Sequence, residues 1–134
     1  MTPELVHSSA EKQGFLGLIG ARLTHVAPGE AEFTLPFRDD LTQQHGFVHG
    51  GVITTIADVA CGYAAYTLMP EGSEVLSVEF KVNLLRPAVG SSFRARARVL
   101  KPGKTLTTVQ ADVFATTAEG EKQVAVMLAT IIRK

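Results

Sequence analysis

Asp58 is the only formal charge between His49 and Glu71, inside a stretch from Val52 to Met69 that is otherwise almost wholly apolar. Burying a carboxylate is costly unless it is paired or hydrogen-bonded. An aspartate here therefore faces a solvent edge, bonds a neighbouring backbone group, or serves chemistry. Gly50 and Gly51 precede it by about two helical turns, so all three can lie along one side of one helix with the glycines at its N-terminus. The first N–H groups of a helix lack intrahelical acceptors and sit at the positive end of its dipole. Such donors stabilise a carbonyl oxygen that becomes negative under attack, while a carboxylate activates water or attacks directly. Glycine also lets a carbonyl come close to the backbone. The spacing thus predicts attack on an acyl carbonyl. A bare Gly-Gly is equally an ordinary loop-to-helix junction, and only its distance from Asp58 makes it informative.

Such chemistry needs a helix held by a rigid frame. From Val52 to Met69, Val52, Ile56, Val59, Ala60, Tyr63 and Thr67 run down one side and Ile53, Ala57, Ala64 and Leu68 fill the next, which predicts a buried helix stopped by Pro70 and Gly72. Ala21–Val26 and Glu30–Phe37, joined by Ala27-Pro28-Gly29, read as a hairpin. Val78, Phe80, Val82 and Leu84 alternate with Ser77, Glu79, Lys81 and Asn83, and the same period of two recurs through Phe93–Val99 and Thr108–Thr116. The last run, Val124–Ile132, is apolar at both parities, as expected of a strand covered on both faces. Pro3 to about Leu18 predicts one short N-terminal helix docked through Leu5, Phe15, Leu16, Leu18 and Ile19, and Arg38–Phe47 an irregular loop. This order predicts an α+β arrangement in which a long antiparallel sheet curls round the central helix.

The bulk composition narrows the partners. At 134 residues, with 46% hydrophobic and 19% charged, residues 1–134 are expected to form one globular domain. Thirteen basic side chains balance 13 acidic ones. No net field draws the protein to nucleic acid or to an anionic membrane, and an anionic ligand must be gripped locally. The lone Cys61 excludes an intrachain disulfide and reads as a small core residue. His45 and His49 are spaced His-x-x-x-His in a glycine-containing loop with no third ligand in view, so neither a metal nor a cofactor is expected. Met1-Thr-Pro-Glu-Leu-Val-His-Ser-Ser lacks the pattern of a secretory signal, which favours a cytoplasmic location.

The run Gln43-Gln44-His45-Gly46-Phe47-Val48-His49-Gly50-Gly51-Val52-Ile53-Thr54-Thr55-Ile56-Ala57-Asp58, followed by Leu76-Ser77-Val78-Glu79-Phe80 and Leu85-Arg86-Pro87-Ala88, resembles the hotdog thioesterases of the phenylacetate-degradation (PaaI-like) branch. The order of elements extends the resemblance over nearly the whole chain. It implies a hotdog fold and hydrolysis of an acyl-CoA or aryl-acyl-CoA thioester. It also implies a site shared across a homodimer, often in a dimer of dimers, that is, a homotetramer. By position it makes Asp58 the general base or nucleophile and the Gly50 N–H the oxyanion donor, with Gly51 beside it. Gln43 takes the place of an upstream amide residue, commonly Asn, and His49 orients the turn or that amide. Ser77 aligns with a hydroxyl that helps position the water, although it reads equally as a polar residue on an exposed strand face. Arg94, Arg96 and Arg98 form a basic stripe that is either solvated or, with Arg86, Lys101 and Lys104, meets CoA phosphates. Two other activities stay open: an acyl-CoA-binding module without hydrolysis, and an enoyl-CoA hydratase or dehydratase using His49 with Asp58.

Overall fold

The computed structural model describes residues 1–134. Two N-terminal helices, α1 (Pro3–Glu11) and α2 (Gly14–Ile19), lead into the hairpin β1 (Arg22–Ala27) and β2 (Glu30–Pro36). A short 3-10 turn, Asp39–Leu41, precedes the central helix α3 (Gly50–Tyr66), and β3 (Val75–Leu84), β4 (Ser92–Lys101), β5 (Leu106–Thr117) and β6 (Gly120–Arg133) complete one sheet. The strand order is β1-β2-β4-β5-β6-β3 with every neighbouring pair antiparallel. This sheet curled round one central helix is the hotdog arrangement.

The curl follows from small side chains at the contact. Ala95, Ala97, Ala111, Ala115, Ala125 and Ala129 on the strands and Ala57, Ala60 and Ala64 on α3 are all buried where α3 packs on β4, β5 and β6. Between those alanines the sheet comes close to the helix, and Phe33, Leu35, Phe93, Ile53 and Ile56 fill the remaining space with no appreciable exposure. The hairpin turn is pinned to the far end of α3. Pro28 presets its φ, Gly29 takes φ 76°, and the Gly29 N–H donates to Thr67 Oγ1 at 2.8 Å.

Several expectations need correction. The N-terminal segment is two helices, broken at Lys12-Gln13, and it docks through Val6, Ala10, Leu16 and Ile19, whereas Leu5, Phe15 and Leu18 are exposed. Helix α3 ends at Tyr66, before Pro70, where the Leu68 and Met69 N–H groups donate three residues back to Ala65 O and Tyr66 O and the last turn tightens. Strand β6 is covered on one face only; Val124, Ala125, Met127, Ala129 and Ile131 are buried while Leu128 is 49% exposed. Its apolar residues at both parities arise partly from a bulge. Val113 pairs with Ala125 and Phe114 with Gln123, so Val124 is an extra residue and two successive side chains turn inward.

Strand β3 departs most from a simple alternating strand. It is an edge strand, so one row of its backbone groups is unpaired, and Leu76, Val78, Phe80 and Leu84 are each between 40% and 56% exposed. Ser77 pairs with Ile131 and Glu79 with Thr130, which makes Val78 the extra residue of a second bulge. Directly opposed residues share a sheet face. Ser77 therefore faces inward with the buried Ile131, and beyond the bulge Phe80, Val82 and Leu84 take over the inward positions opposite Ala129, Met127 and Ala125.

Candidate active site

The N-terminus of α3 is built by its own side chains. His49 is the N-cap residue, its backbone extended at φ −59° and ψ 137°, and its Nδ1 accepts the Gly51 N–H at 2.8 Å. The bond leaves the ring proton on Nε2. Thr54 and Thr55 donate their hydroxyls to Gly50 O at 2.7 Å and Gly51 O at 2.9 Å, which ties the first turn to the second. Val52 and Ile53 donate to His49 O. The Gly50 N–H has no acceptor in the protein. Of the two glycine donors proposed to hold a carbonyl, Gly51 is occupied by the cap and Gly50 is free.

Asp58 lies two turns along, half-buried, and Ser77 Oγ donates to its Oδ1 at 2.6 Å. The second carboxylate oxygen carries no protein hydrogen bond, and Asp58 lines a cleft of about 610 Å³ between α1, α3 and the start of β3. Gly50 and Asp58 do not share that cleft, contrary to the single groove expected from their spacing. Gly50 opens, with Gln43, Ile53, Leu84 and Arg86, into a second cleft at the other end of β3. The chain thus carries an unpaired donor in one cleft and a positioned carboxylate in another.

The remaining candidates divide in the same way. Gln43 Oε1 accepts the backbone N–H groups of His45 at 2.5 Å and Phe47 at 3.3 Å, so its carbonyl shapes its own loop and its amide NH2 is left for another acceptor. Arg86 Nη1 donates to Gln123 O at 2.5 Å and has no carboxylate partner. Arg94 lies on the sheet face away from α3, since Phe93 and Ala95 are the buried neighbours. It is ion-paired there with Glu121 and with Glu32, the latter at 3.1 Å between Nε and Oε1 though without hydrogen-bond alignment. Those carboxylates neutralise it, and it is not free for a phosphate. Arg96 pairs with Glu32 at 3.5 Å and lies over the Phe114 ring, which leaves Arg98 as the unpaired member of the stripe. Lys101, the last residue of β4, and Lys104, in the turn to β5, are exposed at the sheet end where β3 begins.

Composition and spacing did not single out Ser9, Gln13 and Tyr63 as lining the Asp58 cleft. Tyr63 was legible only as one more apolar-face position, and α1 reaches it from more than 50 residues away, beyond any local pattern. Cys61, one turn beyond Asp58, is fully buried; burial pushes its thiol well above the ordinary range, and the charges of Asp58 and then Asp112 add to the rise. The thiol is thus neutral and inaccessible. Native protein is expected to resist alkylation near neutral pH and to label stoichiometrically once unfolded; rapid labelling of the folded state would contradict this environment.

Residues 45–121, more than half the chain, match the family model of the thioesterase superfamily, and the chain belongs to that family. A putative esterase of Halobacterium salinarum is 32% identical over 124 residues, covering 87% of this chain and 82% of the relative. Human acyl-coenzyme A thioesterase 13 is 27% identical over 112 residues, covering 82% of this chain and 79% of the relative. The crystal structure of a thioesterase family protein from Silicibacter pomeroyi superposes with a TM-score of 0.94 at 46% identity, covering 96% of this chain and 94% of that one. The E. coli PaaI protein from the phenylacetic acid degradation operon shares the fold, with a TM-score of 0.86 at 21% identity over 98% of this chain and 91% of its own. The protein is a hotdog-fold thioesterase. No helix in it is long and apolar enough to cross a membrane.

Proposed function

We propose that the protein hydrolyses acyl-CoA thioesters in composite sites, each formed by Gly50 and Gln43 of one subunit with Asp58 and Ser77 of the other. The observation that carries this is the division of the machinery between two clefts at opposite ends of an unpaired, apolar edge strand. Gly50 and Gln43 share their cleft with Leu84 and Arg86, at the end of β3; Asp58 shares its cleft with Val75 and Ser77, at the start. A long exposed edge strand with apolar side chains is a template for pairing. Pairing two β3 strands antiparallel about a two-fold axis sets the start of each beside the end of its partner. The free N–H of one subunit then meets the free carboxylate oxygen of the other.

In such a site the thioester carbonyl accepts from the Gly50 N–H at the positive end of α3, with the Gln43 NH2 as a second donor. Ser77 holds one oxygen of Asp58, and the other takes a proton from the attacking water. The tetrahedral intermediate collapses as the proton held by Asp58 passes to the departing sulfur, which releases the CoA thiol and a free acid and restores the carboxylate. The same pairing brings Arg86 of one subunit towards the Lys101 and Lys104 end of the other, which offers cations to the CoA phosphates. Human acyl-coenzyme A thioesterase 13, similar along 82% of this chain, supports CoA as the thiol. Outward-facing Leu76, Leu106 and Leu128, about half exposed, support further association into a dimer of dimers.

Purified protein is expected to release free thiol from an acyl-CoA panel spanning short, long and aryl groups, and no release from any member would overturn the reading. Subunit sharing has its own test. Chains carrying Asp58→Asn and chains carrying Gly50→Pro, each nearly inactive alone, are co-expressed and purified in sequence on two tags. Mixed dimers hold one intact site and one doubly altered site, so recovery of up to about half of wild-type turnover is expected. A site contained within one chain would give no recovery.

A further inference from the structure

The Asp58 cleft contains a hydrogen-bond cluster that the hydrolytic step does not use. Tyr63, 4% exposed, accepts at its hydroxyl from Gln13 Nε2 at 2.9 Å and shares a hydrogen bond of 3.0 Å with Ser9 Oγ. Tyr63 lies on α3, and Ser9 and Gln13 belong to α1 and the residues just after it. All three line the cleft. Ser9 and Tyr63 bring two hydroxyl hydrogens but only one bond between them, because the Gln13 amide is itself a donor. Whichever hydroxyl donates, the other has a hydrogen with no acceptor in the protein, and Gln13 Oε1 receives no hydrogen bond. The wall of the cleft thus offers one free O–H donor and one free carbonyl acceptor side by side. That is the complement of a hydroxyl or keto oxygen, and a poor lining for a plain aliphatic tail.

We propose that Ser9, Gln13 and Tyr63 are specificity-determining residues that select acyl groups bearing an oxygen remote from the thioester. The inference rests on the acyl-CoA reading above and on Asp58 marking the reacting carbonyl. Tyr63 is five residues beyond Asp58, about 7.5 Å along the helix axis, roughly the span of an extended six-carbon acyl chain. The preferred oxygen therefore sits near the far end of such a chain rather than next to the carbonyl. A cluster that merely anchors α1 would affect stability and act on all substrates alike.

The test compares hexanoyl-CoA, 3-hydroxyhexanoyl-CoA and 6-hydroxyhexanoyl-CoA. The 6-hydroxy ester is expected to exceed hexanoyl-CoA in kcat/KM by about five- to tenfold, the value of one added hydrogen bond, with no such gain for the 3-hydroxy ester. The double variant Ser9→Ala/Tyr63→Phe, which removes both hydroxyl hydrogens, is expected to bring that ratio close to one. Ser9→Ala alone, at a helical position where alanine is the better helix former, is expected to keep the ratio, because the Tyr63 hydroxyl hydrogen and Gln13 Oε1 both stay free. Equal kcat/KM for the three esters, or a ratio unchanged in the double variant, overturns the inference while leaving the thioesterase reading intact. No turnover of any ester overturns both.

Discussion

Gly50→Pro is expected to lower kcat by about 10²- to 10³-fold, the usual effect of removing one oxyanion donor, with the melting temperature nearly unchanged. The substitution suits this position for local reasons. Gly50 is the first residue of α3, where proline is favoured because that N–H has no helical acceptor. His49 before it already has ψ 137°, the extended conformation that a following proline requires. What proline removes is the one N–H of the turn that nothing in the protein accepts. Added carbon has a separate effect, because a Cβ at Gly50 would lie 2.8 Å from Leu84 Cδ1. That atom ends a flexible, 56% exposed side chain that can swing aside. Gly50→Ala adds the same Cβ and keeps the N–H, so the difference in kcat between the two variants isolates the donor. Equal activity of the proline and alanine variants would remove the Gly50 N–H from the mechanism.

Asp58→Asn is expected to cost about 10²- to 10⁴-fold in kcat, the range for loss of a general base, with KM much less affected. Asparagine keeps the size of the side chain, and its carbonyl oxygen still accepts from Ser77. The fold is therefore expected to survive, as circular dichroism and thermal melting would show. Ser77 acts through Asp58. Ser77→Ala frees Oδ1 and lets the carboxylate turn, so a smaller fall of about tenfold is expected, again in kcat. The double variant should be scarcely worse than Asp58→Asn alone, because removing the base leaves the serine nothing to position. Additive losses in the double variant would mean that Ser77 contributes independently, and near-wild-type turnover by Asp58→Asn would remove the carboxylate from the mechanism altogether.

Local patterns made much of this legible. The alternation through Phe93–Val99 and Thr108–Thr116 identified β4 and β5, because each places one face on a core and a strand has a period of two. The apolar run after Gly51 identified α3, and Asp58 stood out there as a lone charge. Element ends were less legible. Helix α3 tightened and ended after Tyr66, ahead of Pro70, and Lys12-Gln13 split the N-terminal helix. The arginine stripe was visible as charge, but the pairing of Arg94 and Arg96 depends on Glu32 from the adjacent β2 and Glu121 from β6, two strands away.

The opposite case is Ser77. By alternation alone it belongs with Glu79, Lys81 and Asn83 on the polar face of β3, away from the helix. The bulge at Val78 reverses the parity of the strand, so Ser77 turns inward to Asp58 while Phe80, Val82 and Leu84 keep their inward positions. A bulge is set by pairing with β6, more than 50 residues later, and leaves no mark in the period of β3 itself. The division of Gly50 and Asp58 between two clefts is of the same kind, since it depends on what packs around α3 and not on its turns. The amino-acid sequence by itself determined the helix, the strands and the residue types able to attack a carbonyl, because these follow from near-neighbour sterics and from which faces are apolar. Only the tertiary structure decided which of those residues meet, because meeting depends on strand register and on the chain segments that close each cleft.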